Sequence, residues 1–547
     1  MLREFIEQLD KLPQKVFANS LLLDADKPTI GIVTAQNDLS LANRNLSEIV
    51  DKVQQGIVAA GGQAKVLHVP SIEVSAMHAT TAAKYDLPTR DLIAEAVEMY
   101  GSSDYLDGMV FVASTQNVVC GMLLGAIRLN IPCAFISQGV MSPVRYNNAE
   151  YGYSFYYEQI AKVKTGKTPY DIVSEIRANL PLCVGTDCDN YGENSLNCLL
   201  EVCGLAVKGN GTAAANTAER MQIAYRTGKL AVERVADKCT AKRLLSQTAL
   251  TNMVCVDIAC GGYSTTMLNL IAVANELGIR NVNFKTIGEL AKSTPVLLKK
   301  DKATECLMPQ FHRAGGVYAV VKQMIADKII DGTAYVAEDQ TLVEQVKDSI
   351  VTNNRVITPS TTPVCTSARL RVVKGNVAEE GAFVQNGAQI DQFSGVCKVY
   401  SDEEMAIEAI LHKEIKRGDV VVIRGEGAKN APGMREIYTS LALLNGLGIA
   451  EQVAVITDGR IADIYKGIAV GHITPEFGSQ SAFTVLRDGD TVEIVPSKMR
   501  ISCDVNAREV QMRLRTCERD VGNYGNVFLR RWAANCAPPT EGCVQKK

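Results

Sequence analysis

Short apolar segments alternate with helix-like patterns through the first two thirds of the chain. Residues 29–35 (TIGIVTA), 64–70 (AKVLHVP) and 107–114 (DGMVFVAS) have the length and apolar content of buried strands. Between the first two, residues 45–62 place apolar side chains at helical spacing and end on glycine, as many helices do. This order of strands and helices predicts an α/β fold with a doubly wound parallel sheet.

Ligands of such sheets bind at the loops that follow the carboxyl ends of the strands. The loops to examine are therefore residues 34–42, 113–120 and 137–143. Residues 180–330 are helix-rich by pattern and contain glycine turns at 208–214 and 259–266. Such a turn suits anion binding where a helix begins directly after it, as we expect at Thr212.

The pattern changes near residue 363, where short strands separated by glycine turns begin. We therefore predict an α/β N-terminal domain at 1–362 and a β-rich, barrel-like C-terminal domain with terminal helices at 363–547. A helix at 401–418 is set into the second domain, with Ser401 as its N-cap and a Glu three residues later.

Composition limits the partners that the chain can have. A net charge of −3 gives no attraction for nucleic acid or acidic membranes, so we expect neither as a partner. The apolar stretch 118–136 contains Arg128, Asn130 and Pro132 and is predicted to be a buried helix and strand, not a membrane span. The first 17 residues form a charged amphipathic helix by pattern, without the apolar core of a signal peptide, so we expect a cytoplasmic protein.

Sixteen cysteines are many for a chain of this kind. Without a secretory signal a disulfide scaffold is not expected, and several cysteines stand in apolar contexts that suit buried thiols. A metal site needs close spacing, and the tight groupings that we consider are Cys183/Cys188 and Cys198/Cys203. Both interpretations of the cysteines, packing and metal binding, remain open at this stage.

Five motifs stand in the order and spacing of one protein family. They are RLNIP at 128–132, KGNGT at 208–212, GNVAEEGA at 375–382, GDVVVIRGEGAKNAPGMRE at 418–436 and ITDGR…GHITPE at 456–476. Together they resemble the dihydroxy-acid and sugar-acid dehydratases, which include 6-phosphogluconate dehydratase. The resemblance extends from about residue 28 to residue 544.

The resemblance implies a specific reaction and homodimeric assembly. Members of the family remove water from a 2,3-dihydroxy acid and give a 2-keto acid through an enol. In that chemistry an iron–sulfur cluster held by three Cys acts on the departing C3 hydroxyl. Mg²⁺, held by carboxylates and a modified Lys, binds the carboxylate end of the substrate, and a Ser alkoxide takes the C2 proton. The cations stabilise charge that develops on a poor leaving group and on a weakly acidic carbon.

This chain departs from the family pattern at the three positions of the cluster cysteines. Ala42 stands at the first position. Thr115-Gln116-Asn117 replaces the Cys-Asp-Lys motif, which removes a cluster ligand, a Mg²⁺ carboxylate and the modifiable Lys together. The third position falls on Asp187, with Cys188 one place away. A cluster rebuilt from Cys188, Cys120 and Cys183 is the alternative.

The metal carboxylates and the base are also altered. The early carboxylate maps onto Val74, or onto Glu73 after a shift of one residue, whereas Glu436 in APGMRE matches cleanly. Glu436 is therefore either a metal ligand or a polar group at a repurposed site. In the loop TDGRIAD at 457–463, Ala462 occupies the position of the catalytic Ser and has no proton to exchange.

Other pocket residues keep groups that suit ligand binding. Asp458 and Arg460 follow a buried strand, and they are either a structural turn or a substrate contact, since Arg binds carboxylates and phosphates well. Ser137 and Gly139 match a substrate wall of the family, and Ser264, Thr265 and Thr266 present hydroxyls. His472 is either structural or functional, and His78 is a candidate acid or base.

Two hypotheses follow from these residues. In the first, the chain is an enzyme, a divergent hydro-lyase or a relative with altered chemistry on a polyhydroxy or sugar-acid-like carboxylate or an amino acid. In the second, it is an inactive dehydratase fold kept as a binding or regulatory subunit. Metal ligands and a base distinguish the two.

Overall fold

A computed structural model of the chain describes residues 20–40, 42–72, 77–103, 105–146, 149–179, 184–189, 191–299, 306–387, 389–517 and 526–546. The helix predicted within the first 17 residues lies outside these ranges.

The N-terminal half is built on a four-stranded parallel sheet in the order β2-β1-β3-β4. The strands are β1 Thr29–Thr34, β2 Gln63–His68, β3 Gly108–Ala113 and β4 Cys133–Ser137. In β1, β3 and β4 every residue is buried, which explains why their sequences are continuous apolar runs and not alternating patterns. The predicted doubly wound α/β sheet is confirmed.

Helices cover this sheet and continue into a helical region. Those of the N-terminal half are α1 Leu46–Ala59, α2 Asp86–Gly101, α3 Gln116–Leu129, α4 Ser154–Lys164, α5 Tyr170–Asn179, α6 Tyr191–Val202, α7 Ala218–Ala236, α8 Ala241–Leu244, α9 Gln247–Ala259, α10 Ser264–Glu276, α11 Phe284–Ser293, α12 Leu307–Arg313, α13 Gly316–Ala326 and α14 Leu342–Val346. Two short hairpins add β5 Val144–Tyr146 with β6 Ala149–Tyr151, and β7 Tyr335–Ala337 with β8 Gln340–Thr341.

The C-terminal half is a closed eight-stranded barrel in the order β10-β16-β14-β12-β11-β17-β18-β9. Its strands, with the pair β13 and β15 beside it, are β9 Leu370–Gly375, β10 Ala378–Asn386, β11 Phe393–Tyr400, β12 Asp419–Ile423, β13 Glu436–Ile437, β14 Ala454–Thr457, β15 Arg460–Ile461, β16 Ile468–Thr474, β17 Thr491–Val495 and β18 Arg500–Cys503. The helices here are α15 Glu403–Leu411, α16 Thr439–Leu447, α17 Ala482–Val485, α18 Ala507–Thr516 and α19 Val527–Asn535. The predicted barrel-like domain is confirmed, whereas the boundary at residue 362 stays a prediction.

Apolar side chains fill the interior of the barrel. Val420, Ile456 and Val470 lie on three neighbouring parallel strands and are fully buried in one interior cluster. Closure leaves no free sheet edge, so the strands need no covering layer to prevent pairing with another chain. The barrel is therefore a rigid support for the loops at its rim.

Two local predictions are wrong. The N-cap of α15 is Asp402, whose carboxylate accepts the Met405 N–H at 2.8 Å, and not Ser401. No helix begins at Thr212, because the chain continues as a turn until Thr217 caps α7. Both errors arise because several cap-forming residues stand side by side, and the backbone path selects among them.

The apolar stretch 118–136 forms most of α3 and most of β4 and is largely buried, as predicted, whereas Asn130 between the two elements is exposed. Among the described helices, none is both long and apolar enough for a membrane crossing.

The two halves are packed closely through α4 and α16. A Cβ atom added to Gly446 of α16 would lie only 2.4 Å from the carbonyl oxygen of Glu158 in α4, so only glycine permits this approach. The packing brings loops of the parallel sheet against loops of the barrel. The candidate site lies at this junction.

Candidate functional site

The loops of the two halves meet around one buried arginine, Arg460. Its Nη2 lies 2.7 Å from Asp86 Oδ2, and its Nη1 lies 3.2 Å from Glu436 Oε2. Nε donates to the Met434 carbonyl at 2.8 Å, and the Tyr263 hydroxyl donates to the other oxygen of Glu436. We call Arg460, Asp86, Glu436 and Tyr263 the arginine cluster.

Charge within the arginine cluster is balanced by the protein itself. Burial raises the pKa of Glu436, and the charge of Arg460 opposes that rise. Burial alone would lower the pKa of Arg460, but Asp86 and Glu436 outweigh it and the pKa is raised, so the guanidinium stays charged. The cavity beside the cluster measures about 30 Å³, which admits one or two water molecules but no sugar acid.

Two amides at the start of α3, next to the cluster, join α3 to α2, α6 and α10. Gln116 donates to Ser195 Oγ at 3.0 Å and accepts the Thr266 hydroxyl at 3.2 Å. Asn117 donates to Asp86 Oδ2 at 2.7 Å and accepts from Asn269 at 3.2 Å. The side-chain amides of Gln116 and Asn117 are therefore already hydrogen-bonded to neighbouring side chains.

A much larger cavity, of about 570 Å³, opens beside the arginine cluster. We call it the junction cavity, because α4, α6, the turn before α10 and the loop after β15 all contribute to its wall. Its lining combines carboxylates, cations and aromatic rings, among them Asp189, Asp463, Glu158, Glu451, Lys162, Lys466, Arg369, Tyr151, Phe155, Tyr191 and Tyr465. A space of this size and polarity suits a small polar molecule.

Asp463 is the buried carboxyl group of this wall. Its Oδ2 accepts the Gly192 N–H at 3.0 Å, at the start of α6. Its Oδ1 is buried and has no hydrogen-bond partner among the described residues. Burial raises the pKa of Asp463 to about 7, against the effect of the Gly192 hydrogen bond and with a contribution from the charge of Glu436. The carboxyl group can therefore hold or release a proton near neutral pH.

A second carboxyl group, Asp257, lies behind the wall. Its Oδ2 accepts the Tyr263 N–H at 3.0 Å, and the Tyr191 hydroxyl lies beside it. Burial, with the nearby charge of Asp463, raises the pKa of Asp257 to about 8. The protonation of Asp257 therefore depends in part on the charge of Asp463.

Asp458 and Glu476 hold the loop that follows β12. Asp458 accepts the N–H groups of Glu426 and Phe477, both at 3.1 Å. Glu476 accepts three successive N–H groups, from Ala428 at 2.6 Å to Asn430 at 3.0 Å. Burial, together with the charge of Glu476, raises the pKa of Asp458 to about 6. The substrate contact predicted for Asp458 stays a prediction, beside this observed role in the loop.

Comparison with known proteins agrees with this architecture. The family profile described as dihydroxy-acid/6-phosphogluconate dehydratase N-terminal matches residues 27–345, and the corresponding C-terminal profile matches residues 355–543. The chain belongs to the dihydroxy-acid/6-phosphogluconate dehydratase family.

Several dihydroxy-acid dehydratases are similar to the chain over nearly its whole length. That of Desulfitobacterium hafniense is 34% identical over 511 residues, which cover 92% of this chain and 91% of the relative. That of Moorella thermoacetica is 32% identical over 528 residues, 95% of each chain, and that of Pyrococcus furiosus is 32% identical over 523 residues, 95% of each. The family resemblance inferred from the motifs is confirmed.

The residues at the three cluster positions of the dehydratase family do not fit an iron–sulfur cluster. Such clusters are held by thiolates, and the side chains here belong to Ala42, Thr115 and Asp187. Ala42 is buried, and Asp187 Oδ1 accepts the backbone N–H of Asp189 at 3.1 Å.

Cys188, next to the third position, has other contacts. Its Sγ lies 3.8 Å from the Tyr151 carbonyl oxygen, and its backbone oxygen accepts the Met308 N–H at 2.9 Å. A hydrogen bond with Cys306, together with burial, raises the pKa of the Cys188 thiol, which disfavours the thiolate that a metal requires. Cys120, also considered for a rebuilt cluster, is buried with its pKa raised to about 12 by burial, and Cys183 lies outside the described residues.

The family's Mg²⁺ fits this site no better. The guanidinium of Arg460 lies 3.2 Å from Glu436, the family carboxylate that matches here, and 2.7 Å from Asp86, so it already balances the charge of Glu436. In the described part of the chain, no three His, Cys, Asp or Glu side chains are grouped as a metal site would require. The other candidate carboxylate, Glu73, and its neighbour Val74 lie outside the described residues, and their roles stay predictions.

The four residues predicted to bind a ligand through a hydroxyl group or a glycine backbone lie in two separate places. Ser264 donates to the Ile461 carbonyl at 3.2 Å, and Thr265 lines the small cavity of the arginine cluster. Ser137 instead donates to the Asn210 carbonyl at 2.5 Å, and the Gly139 N–H donates back to Ser137 Oγ at 3.2 Å. The structure thus brings Ser264 and Thr265 to Arg460, and ties Ser137 and Gly139 to the KGNGT turn.

His78 and His472 are both fully surrounded by protein. Burial, with the charge of Arg460, lowers the pKa of each to about 3, so both imidazoles are neutral at physiological pH. His78 stacks on Tyr438 with ring centroids 4.2 Å apart, and Phe383 packs edge-on to His472 at 5.3 Å. Packing against aromatic rings is the main interaction of both side chains.

Three groups that dominate the site were not predicted from the sequence. Asp463 directly follows Ala462 and Tyr263 stands in the glycine turn at 259–266, whereas Asp86 lies outside the family motifs. The signal that could have identified Asp463 is a carboxylate directly beside a lost catalytic Ser.

Proposed function

We propose that this dehydratase-family chain is a divergent hydro-lyase that acts on a small polyhydroxy or sugar-acid-like carboxylate in the junction cavity. The observation that carries the proposal is Asp463. It directly follows Ala462, turns an unpaired Oδ1 inside the wall of a cavity of about 570 Å³, and has a pKa raised to about 7. A carboxyl group with a pKa near the working pH is an effective proton-transfer group.

The proposed reaction uses only groups of this chain. The C2–H bond of a 2,3-dihydroxy acid breaks and its proton goes to the Asp463 carboxylate. The C2–C3 double bond forms as the C3–O bond breaks, and the departing hydroxide takes a proton from the Tyr191 hydroxyl and leaves as water. Protonated Asp257, beside Tyr191, returns that proton. The enol then becomes the 2-keto acid as C3 takes the proton held by Asp463 and the enol hydroxyl releases its proton to solvent. Asp257 takes a proton back from solvent, so both carboxyl groups return to their starting states.

The cavity also offers a partner for the carboxylate of the substrate. Arg369 lines the wall, and its Nε has no hydrogen-bond partner among the described residues. A guanidinium binds a carboxylate through two parallel hydrogen bonds, so Arg369 is the group that we assign to this end of the substrate. Lys466, by contrast, is paired with Glu158 at 2.9 Å.

The test is a screen of aldonic and 2,3-dihydroxy acids for 2-keto acid formation, with the wild-type chain and Asp463→Asn. Glu451→Gln is the matched control, since Glu451 lines the same cavity and is exposed. We expect turnover in the wild type and the control, with kcat lower by about 100-fold or more in Asp463→Asn. Equal turnover in Asp463→Asn would contradict the assignment.

The second candidate function is a binding or regulatory subunit without catalysis. It is favoured by the arginine cluster, in which the cation position holds Arg460 and both carboxylates are already neutralised. This candidate predicts that D-gluconate or another screened acid binds by calorimetry without any keto acid product. Binding lost in Arg369→Met would then place the ligand in the junction cavity.

The remaining partner proposals rest on the family resemblance. We propose a homodimer that works in the cytoplasm on a small-molecule carboxylate, without nucleic acid or membrane. Light scattering of the purified chain measures the assembly, and a monomeric mass would contradict the dimer.

A further inference from the structure

A second cavity, of about 530 Å³, lies away from the junction cavity and shares no lining residue with it. It lies between the KGNGT turn, α7, α12 and the start of α13. Its lining contains two cations, two carboxylates, a hydroxyl and an imidazole, which belong to Lys208, Arg226, Glu201, Glu219, Thr212 and His312. Neither the family chemistry nor the proposed hydro-lyase reaction uses these residues.

Three of these side chains form a hydroxyl–imidazole–carboxylate relay. Thr212 Oγ1 lies 2.9 Å from His312 Nδ1, and His312 Nε2 lies 3.1 Å from Glu219 Oε2. An ionised carboxylate only accepts hydrogen bonds, so Nε2 carries the imidazole proton and Nδ1 is the free acceptor. The Thr212 hydroxyl therefore donates to a base that is held in the right tautomer by a carboxylate.

Hydrogen bonds to a buried carboxylate fix the turn that carries Thr212. Glu201, which is buried, accepts the N–H groups of Gly209 at 3.0 Å and Gly211 at 2.9 Å. Thr212 itself is only 2% exposed but lines the cavity, so its hydroxyl is positioned by His312 at the cavity wall and not at the outer surface. Such fixed geometry is what a nucleophile and its base require.

The N-terminus of α13 lies over the same hydroxyl. A Cβ atom added to Gly316 would lie 3.4 Å from Thr212 Oγ1. Gly315 and Gly316 have φ values of 120° and 61°, which L side chains rarely adopt. The first N–H groups of a helix have no partner inside it, so they can stabilise negative charge that develops beside Thr212.

We propose that Thr212, His312 and Glu219 form a second active site, which hydrolyses small anionic esters. Thr212 Oγ1 attacks the ester carbonyl carbon, and its proton goes to His312 Nδ1. The bond to the leaving alcohol then breaks, and the alcohol takes that proton, which leaves an acyl-threonine. Water, deprotonated by His312, attacks the acyl group and releases the acid and free Thr212. Lys208 and Arg226 select substrates that carry a carboxylate or phosphate. This proposal is independent of the hydro-lyase activity.

The test uses the full chain with 4-nitrophenyl hemisuccinate, and with 4-nitrophenyl acetate as the neutral comparison. We expect faster nitrophenolate release from the anionic ester, and a succinyl group on the Thr212 peptide by mass spectrometry after rapid acid quenching. Thr212→Val, which keeps the shape, should lower the rate by about 100-fold or more, whereas Thr212→Ser should retain activity.

The matched control is Thr227→Val. Thr227 is a fully buried threonine of α7 whose hydroxyl donates to the Ile223 carbonyl of its own helix at 2.9 Å, and we expect the wild-type rate. Peptide mapping of the wild type needs no variant, so it stands even if Thr212→Val does not fold. A wild-type chain with no acyl group on Thr212, or a Thr212→Val chain with unchanged hydrolysis, would overturn the proposal.

Discussion

Replacing Arg460 by methionine removes the cation that joins Asp86 and Glu436. Three contacts are lost, at 2.7 Å to Asp86, 3.2 Å to Glu436 and 2.8 Å to the Met434 carbonyl. Because Arg460 is only 1% exposed, its partners are shielded from bulk water, which therefore does not restore the lost contacts. Breaking a buried pair by removing one partner costs about 3–5 kcal/mol, so we expect Arg460→Met to lose about that much of the free energy of unfolding.

The loss should depend on pH, and its sign follows from Glu436. Burial raises the pKa of Glu436, and the charge of Arg460 opposes that rise. In the folded Arg460→Met variant the pKa of Glu436 should therefore be higher still. Between its unfolded pKa and this higher value the folded state holds a proton that the unfolded state releases. Stability therefore falls as pH rises through that window, and the loss should be larger at pH 8 than at pH 5.

The assay is urea unfolding followed by circular dichroism at both pH values. Arg500→Met is the control, since Arg500 pairs with Glu493 at the surface and is 50% exposed in its side chain, which predicts a loss of about 0–1 kcal/mol. Adding Glu436→Gln to Arg460→Met should recover part of the loss at pH 8. The reasoning is refuted if Arg460→Met and Arg500→Met lose the same free energy at pH 8.

Three further predictions concern other parts of the molecule. Asp463→Asn should raise the thermal midpoint of unfolding at pH 8 and leave it nearly unchanged at pH 4, because a buried carboxyl group with a pKa of about 7 destabilises the fold once it ionises. Scanning fluorimetry measures both midpoints, and the same change of midpoint at the two pH values would contradict this prediction. Gly446→Ala places a Cβ atom 2.4 Å from the Glu158 carbonyl oxygen and should lower the free energy of unfolding in urea by about 1–3 kcal/mol. The control Gly288→Ala, whose Cβ atom has its nearest neighbour at 3.4 Å, should be neutral or stabilising. Equal effects of the two substitutions would argue against the close packing of the two halves. A thiol reagent should modify few cysteines of the native chain rapidly, and the rest only after denaturation; among the described residues the fast group is Cys365, Cys503 and Cys517.

The fold could be predicted because its signals are local and strong. The strands β1, β3 and β4 are buried on both faces, so they appear in the sequence as uninterrupted apolar runs. The barrel strands are separated by glycine turns, and glycine marks backbone conformations that other residues avoid. The exact first residues of helices were harder to predict, as Ser401 and Thr212 show, because neighbouring polar residues compete as N-caps.

The site could be predicted only where family motifs locate single residues. Glu436 and Ala462 were placed by motif, but the contact between Arg460 and Asp86 joins residues 374 positions apart and exists only in the folded chain. The raised pKa of Asp463 likewise comes from burial between the two halves. Burial and long-range pairing are properties of the tertiary structure, and a single sequence does not display them.

We propose that Arg460, paired with Asp86 and Glu436, takes the place of the metal ion of the dehydratase family, and that the chain binds no iron–sulfur cluster. The most direct measurement is the content of iron, sulfide and Mg²⁺ in protein purified without oxygen, together with its visible spectrum. The account predicts iron and sulfide far below one cluster per chain and no visible absorption band. A brown protein with stoichiometric iron and sulfide, bleached by substitution of Cys188, would contradict it.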